Sequence, residues 1–237
     1  MLKPSTEILQ ELLDHLGVKA NRLSVEIGDN SNSRIYYVRN GRSKISPKLA
    51  KAITERYKEI DYDYLLTGKG ELVRKDVMVN NSGNVFVEKP DGSFNVTTRL
   101  VPFDAYSSYL ETLDDVSVIH DWEEVTFSVD RYGRGNYLAF KNKGDSMNGG
   151  KINDTPNNSL LLGRELQRHH WLDGFNPTLY GWIILSKKNV FHKDIIGLNK
   201  EKGTILCHSR NTSPEFSNFE LELNDVYQIF KVIKRTF

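Results

Sequence analysis

Apolar residues recur at helical spacing through the first 72 residues of the chain. Ile and Leu side chains at positions 8, 9, 12, 13 and 16 share one helical face, with Ser5 or Thr6 as the expected cap and Gly17 as the end. Ser46 followed by Pro47 marks a later helix start, because serine caps free backbone N–H groups and proline suits the first helical position. The pattern predicts five short helices, at about residues 5–16, 20–27, 32–40, 47–57 and 64–66.

Beyond residue 72 the pattern changes to short apolar runs separated by turn residues. Residues 84–88 and 94–98 flank a Pro-Asp-Gly turn, which is typical of a hairpin. Many strands with little helix between them favour a mostly β domain. Further strands are predicted at residues 137–140, 160–162, 182–185, 190–196, 204–207 and 226–233.

These patterns predict an α + β multidomain protein, with a small all-α domain followed by a mostly β domain. The expected division is 1–72 for the helical domain, 73–98 for a linker carrying the hairpin, and 99–237 for the β-rich domain.

Composition is typical of a soluble globular protein, and a cytoplasmic location is expected. Its 237 residues are 38% hydrophobic and 27% charged, and no apolar run is long enough to span a membrane, so no membrane partner is expected. The first residues lack the apolar core of a secretion signal. Cys207 is the only cysteine, which excludes an internal disulfide and fits a reducing compartment.

The net charge of +1 conceals an uneven distribution. Residues 1–75 contain 14 basic and 10 acidic side chains, and residues 19–51 contain 8 basic against 2 acidic. A basic cluster on one small segment favours a polyanionic partner, although a solvated surface would have the same composition.

The predicted third helix is polar, and it follows a short helix, a glycine and a turn, which is the order of a helix-turn-helix. Its side chains can donate to base edges, and basic residues just beyond it can contact phosphates. A small helical bundle with a polar outer face is the alternative. The candidate DNA-binding residues are Asn32, Ser33, Arg34, Tyr37, Arg39, Arg42, Lys44 and Lys48.

Ser146 and Lys193 are the candidate catalytic residues. Lys193 lies in a predicted strand and shares a face with Phe191 and Ile195, so burial should lower its pKa. A neutral lysine is a base that can activate a serine hydroxyl for nucleophilic attack. The alternatives are a turn serine and a lysine extending from a strand edge.

The helical part resembles the DNA-binding domain of phage CI-type repressors. The resemblance rests on residues 23–28 (Leu-Ser-Val-Glu-Ile-Gly), 39–42 (Arg-Asn-Gly-Arg) and 64–71, although the turn after Gly28 is about one residue longer. It implies a helix-turn-helix, a double-stranded DNA operator as partner, and a dimer or higher homo-oligomer of a bacterial or prophage transcription repressor.

The β-rich part resembles the C-terminal domain of LexA and CI repressors, a signal-peptidase-like fold with a Ser/Lys dyad. Residues 144–147 (Gly-Asp-Ser-Met) match the serine motif, and Lys193 matches the lysine. Residues 100–110 resemble the self-cleavage region, but Ser107 and Ser108 stand where the family has Ala-Gly. The resemblance leaves two functions open. One is a repressor with a silent dyad, released by an antirepressor or small ligand; the other is a repressor that cuts itself near Ser107, with a RecA-type inducer.

Other chemistry has little support in the sequence. The adjacent His169 and His170 should point apart in a strand, and the Cys207–His208 pair lacks the spacing of metal ligands. No glycine-rich nucleotide-binding pattern occurs. We therefore expect neither a metal nor a cofactor. A third alternative, in which the basic helix binds another protein, stays open.

Overall fold

A computed structural model describes residues 3–29, 33–102, 122–187 and 189–237. The chain forms two compact units, Met1–Val79 and Asn80–Phe237. The first is mostly helical and the second mostly β, so the chain is α + β. Among the described residues, no helix combines the length and apolar character that crossing a membrane requires.

In the first unit, residues 3–29 and 33–79 form five helices followed by a short strand. An apolar core of Ile, Leu, Val and Ala side chains lies between the helices and includes Leu12, Leu23, Ile35 and Ile53. Each of these side chains is at most 1% exposed. The elements are α1 (Ser5–Leu16), α2 (Ala20–Glu26), α3 (Ser33–Arg39), α4 (Pro47–Arg56), α5 (Tyr62–Thr67) and β1 (Val77–Val79).

The helix ends follow from local chemistry, with one difference from expectation. α1 ends at Gly17, whose φ of 64° is the left-handed conformation that glycine adopts without a Cβ clash. Ser46 caps α4, since its side chain accepts a hydrogen bond from the Leu49 N–H at 3.2 Å. The prediction of a Ser5 or Thr6 cap for α1 was wrong, because Pro4 occupies the cap position and the Ser5 hydroxyl accepts from the Ile45 N–H instead.

The described residues of the second unit form ten strands. β2, β3 and β4 form an antiparallel meander, and the remaining seven form a sheet in the order β10-β9-β8-β7-β11-β6-β5. The elements are β2 (Val85–Glu88), β3 (Phe94–Arg99), β4 (Glu124–Val129), β5 (Tyr137–Lys141), β6 (Leu160–Leu166), β7 (Trp182–Ser186), β8 (Val190–Asn199), β9 (Thr204–His208), β10 (Phe219–Glu222) and β11 (Val226–Thr236).

The predicted hairpin is present as β2 and β3. Val85 pairs with Thr97 and Glu88 with Phe94, and Gly92 has a φ of 78° in the turn between the strands. The edge of β3 that faces away from β2 pairs with β4 over six residues. The hairpin therefore has the third strand that a stable sheet requires.

Two elements of the second unit differ from the sequence prediction. β10 was not predicted, and neither was a 3₁₀ helix at Arg168–Asp173. His169 and His170 lie in this helix with ring centroids 4.1 Å apart, so the opposite orientation that a strand would give them does not apply. The long central strand β11 pairs with both β6 and β7, and each pairing contains a register shift.

Candidate functional site

α3 buries one side and exposes the other. Ile35 and Val38 are each 1% exposed and anchor the helix in the core of the first unit. Tyr36 and Tyr37 are about half exposed, and Arg39 is exposed at the last helical position. The helix therefore presents aromatic and basic side chains to solvent while its apolar side chains hold it in place.

A basic stretch, defined here as residues 33–48, extends from α3 into α4. It contains five basic and no acidic side chains. Within the described parts of the chain, four of the five are exposed and form no ion pair, namely Arg39, Arg42, Lys44 and Lys48. Cations without acidic partners give this surface a positive potential.

Basic side chains nearby on α2 and α4 behave differently. Arg22 and Arg56 both pair with Glu26, and Lys51 pairs with Glu55. The Tyr57 hydroxyl also donates to Glu26, which is 14% exposed. Arg56 and Tyr57 thus join the end of α4 to Glu26 of α2, whereas the four exposed cations of the basic stretch have no ion-pair partner among the described residues.

Arg34, the fifth basic residue of the stretch, contacts an acidic residue that was not among the predicted site residues. Its Nε lies 3.2 Å from Oδ2 of Asp29, which follows α2 and is 5% exposed. Arg34 itself is 34% exposed. Ser33 is half-buried at the start of α3, and the predicted base-reading residue Asn32 lies outside the described residues.

Ser146 lies in the loop 142–159 between β5 and β6, which we call the serine loop. Its side chain is half-buried. Its backbone carbonyl accepts a hydrogen bond from the Asn211 N–H at 3.0 Å, and the Asn211 side chain donates to the Asp145 carbonyl at 3.1 Å. Met147 is fully buried, and its carbonyl accepts from the Thr155 N–H at 2.8 Å. Hydrogen bonds from Asn211 and from Thr155 thus hold the backbone on both sides of Ser146.

Lys193 lies on β8 directly opposite Trp182 of β7 and is 8% exposed. Burial lowers its pKa, as the sequence predicted, because an apolar surrounding disfavours the charged amine. Its Nζ donates to the Ser209 hydroxyl at 2.9 Å and lies 6.0 Å from the centre of the Phe216 ring. No hydrogen bond joins Nζ to the Ser146 hydroxyl among the described residues.

A three-residue segment, residues 209–211, contacts both members of the predicted dyad. Ser209 binds the amine of Lys193, and Asn211 binds the backbone of Ser146. Ser209 was not among the predicted site residues. The segment thus contacts a base of lowered pKa and the backbone of Ser146, while the hydroxyl that the Lys193 amine contacts is that of Ser209.

Arg210, between these two residues, forms the most extensively bonded charged group of the site. Its guanidinium donates to both carboxylate oxygens of Asp194, at 2.8 and 2.9 Å. It also donates to the carbonyls of Asn153, Leu179 and Thr178. The Asp194 carboxylate raises the pKa of Arg210 further, so the side chain is a permanent cation that joins the serine loop to β8.

His192, next to Lys193, joins the other side of β8 to the serine loop. The ring lies 2.9 Å from the Asn142 side-chain oxygen and 2.7 Å from the Tyr180 carbonyl. Asn142 in turn donates to the carbonyls of Gly144, Thr155 and Pro156. Burial lowers the pKa of His192 to about 4, so the ring is neutral near pH 7.

Two further sequence predictions concern the surroundings of the site. The candidate cleavage residues Ser107 and Ser108 lie outside the described residues. Within the described ranges, no group of three or more His, Cys, Asp or Glu side chains could hold a metal ion.

Comparison with known proteins gives no family assignment for the chain. No protein-family model matches it, and no curated protein matches it closely enough to indicate a relationship.

Proposed function

We propose that the chain is a sequence-specific DNA-binding regulator of transcription, of the phage CI repressor type. The observation that carries this proposal is the basic stretch: four exposed, unpaired cations beside a helix that is anchored by its apolar side. Exposed cations without acidic partners can neutralise phosphates and release counterions, which is the main source of affinity for DNA.

In this proposal α2 and α3 act as a helix-turn-helix, with α3 in the major groove. Arg34, Tyr37 and Ser33 face base edges, and Arg39, Arg42, Lys44 and Lys48 contact phosphates. A single small module of this kind binds weakly, so the β-rich unit would join two copies across a two-fold symmetric operator.

The test is selection of binding sites from random double-stranded DNA, followed by affinity measurements over a range of salt concentrations. The expected result is a symmetric motif and a steep salt dependence. Lys48→Ala should weaken binding to all sequences alike and lower the salt slope by about one. Lys69→Ala, which removes an exposed lysine outside the basic stretch, is the matched control. Recovery of no motif by the wild-type protein would refute the proposal.

A second function, self-cleavage, is favoured by the buried Lys193 amine beside the segment that holds Ser146. Neutral Lys193 would take the proton of the Ser146 hydroxyl, whose oxygen then attacks a backbone carbonyl. The C–N bond breaks, the lysine returns the proton to the leaving amine, and water hydrolyses the serine ester. Cutting near Ser107 would detach the helical unit from most of the β-rich unit and so release the operator.

Intact mass after incubation at rising pH tests this second function, because alkali increases the neutral fraction of Lys193. Two fragments that add up to the chain plus one water, absent in Ser146→Ala and Lys193→Met, would establish it. An uncut wild-type chain would leave the dyad silent and favour release by an antirepressor or a small ligand.

A further inference from the structure

The carboxylate of Asp29 occupies an unusual position for an acidic group. It is 5% exposed, lies three residues beyond the end of α2, and its backbone N–H donates to the Ser24 carbonyl at 2.8 Å. A buried carboxylate is costly unless it is paired, and one of the partners of Asp29 is Arg34, with Nε at 3.2 Å from Oδ2. This buried acidic residue therefore contacts one of the five basic members of the basic stretch.

The ion pair constrains how Arg34 presents its guanidinium. The guanidinium is planar, with donors arranged in a fixed fork. Nε lies 3.2 Å from Oδ2 of Asp29 as an ion pair without hydrogen-bond alignment, so the carboxylate attracts this side of the guanidinium electrostatically. Arg34 is 34% exposed, so part of this side chain reaches solvent. Holding a long side chain in one orientation beforehand also reduces the rotamer entropy lost on binding.

Two parallel N–H donors at the end of a guanidinium match one base edge in the major groove. Guanine presents the acceptors O6 and N7 there, and bidentate arginine is the commonest specific contact to it. A lysine at the same position would supply charge without the fork.

We propose that Asp29 is a positioning residue that orients Arg34 to read a guanine in each half-site of the operator. The inference rests on the proposed DNA-binding function and adds two details: the base that Arg34 contacts, and the role of Asp29 in orienting Arg34. Asp29 acts through Arg34 and does not contact the DNA.

The other ion pairs of the helical unit are not equivalent. Arg22 and Arg56 meet at Glu26, which also accepts from the Tyr57 hydroxyl, so that group joins α2 to the end of α4. Asp29 instead pairs with a residue of α3, whose neighbours in the basic stretch form no ion pair among the described residues. The Asp29–Arg34 pair therefore lies where it can influence base recognition by α3, and variants of both residues distinguish that role from a purely structural one.

The experiment determines selected motifs and base-by-base affinities for the wild-type protein, Arg34→Ala, Asp29→Asn and the double variant. The wild type should select a G·C pair in each half-site. Arg34→Ala should reduce the preference for that pair about tenfold or more and leave the other positions unchanged. Asp29→Asn should reduce the same preference severalfold while affinity for random DNA stays equal or rises, because a negative charge is lost.

The double variant and a matched control complete the test. Asp29→Asn should change nothing further in an Arg34→Ala background, since its effect passes through that side chain. Asp14→Asn removes an exposed carboxylate of α1 that bonds Gln10, and should leave the motif unchanged. Should Asp29→Asn fail to fold, Arg34→Lys gives an independent reading: loss of the guanine preference with random-DNA affinity kept supports the proposal.

Outcomes against the inference are distinct from failure of the proposed function. A wild-type protein that selects no motif refutes DNA recognition as a whole. A wild-type motif that keeps its full G·C preference in Asp29→Asn or Arg34→Lys overturns only the role of this pair. An Asp29→Asn effect spread evenly over all base positions makes Asp29 structural and also overturns the inference.

Discussion

The two units of the chain place their charged and polar side chains in opposite environments. In the helical unit the basic stretch leaves Arg39, Arg42, Lys44 and Lys48 exposed and without ion pairs among the described residues. In the β-rich unit the important polar groups are withdrawn from water and bonded: Lys193 to Ser209, His192 to Asn142. The first arrangement suits binding of a large anion, and the second suits a site in which position and proton affinity are controlled.

This difference has an energetic counterpart. Exposed charges contribute little to stability, so they can be selected for binding alone. Buried charges are costly unless each is fully bonded, so any change to one of them affects the fold as well as the chemistry. Substitutions of buried charges in the β-rich unit should therefore mainly lower stability, and substitutions in the basic stretch should mainly lower affinity for DNA.

Arg210→Ala should give the largest loss of stability. It leaves the half-buried carboxylate of Asp194 without its bidentate partner and removes donors from three backbone carbonyls. The expected decrease in the free energy of unfolding of the β-rich unit is about 3–5 kcal/mol, measured by urea denaturation. Arg131→Ala, at an exposed position, should change it by less than about 0.5 kcal/mol. Equal effects of the two substitutions would remove the contrast between the units.

Lys193→Met should change the pH dependence of stability. The pKa of Lys193 is lowered in the folded chain, so the unfolded chain binds more protons between that folded value and about 10.4. Stability attributable to Lys193 therefore rises with pH across this window, by up to about 1.4 kcal/mol per unit. Lys193→Met should lack this rise. The measurement is the free energy of unfolding at several alkaline pH values.

Cys207, near Lys193, adds a second contribution of opposite sign to the wild-type curve. Burial raises the pKa of its thiol to about 12, so in alkali the unfolded chain loses this proton first and stability falls. The difference between wild type and Lys193→Met is therefore the quantity to examine. Lys231→Met, at an exposed position of β11, should leave the wild-type curve unchanged. Identical slopes in wild type and Lys193→Met would show that Lys193 keeps an ordinary pKa.

Ser46→Ala tests a local contribution in the helical unit. The Ser46 side chain satisfies the Leu49 N–H in the first turn of α4, and its loss should cost about 1 kcal/mol in thermal unfolding of that unit. Ser43→Ala, three residues earlier and exposed, serves as the comparison and should have little effect. A silent Ser46→Ala would mean that the apolar face alone determines where α4 begins.

Lys44→Ala should have the smallest effect on stability and a clear effect on DNA binding. The side chain is exposed and unpaired among the described residues, so the free energy of unfolding should change by less than about 0.5 kcal/mol. The salt slope of DNA binding should fall by about one. A stability loss comparable to that of Arg210→Ala would contradict the division of roles between the units.

The sequence predicted most elements because their signals are local. Glycine stops, a Ser-Pro start and helical spacing located the helices of the first unit, and apolar runs located the longer strands. The strand Phe219–Glu222 was missed because an alternation of four residues is too short to distinguish from a loop. β6 extends through Arg164 and Glu165, whose charges conceal its continuation.

Features of the candidate site were predictable only where they follow from the alternation of residues within one strand. The burial of Lys193 follows from alternation along β8, and the structure has it 8% exposed. Its bond to Ser209 depends on how β8 pairs with β9, including the register shift between Ile195 and Gly197, and no local pattern encodes that shift. The Asp29–Arg34 pair likewise spans a turn, where the sequence indicates only a change of direction.

The segment 209–211 supports Lys193 through Ser209 and the Ser146 backbone through Asn211. Displacements of this segment are therefore transmitted to the Lys193 amine and to the Ser146 backbone together. Arg210 resists such displacements, because its guanidinium fixes the middle residue of the segment to Asp194.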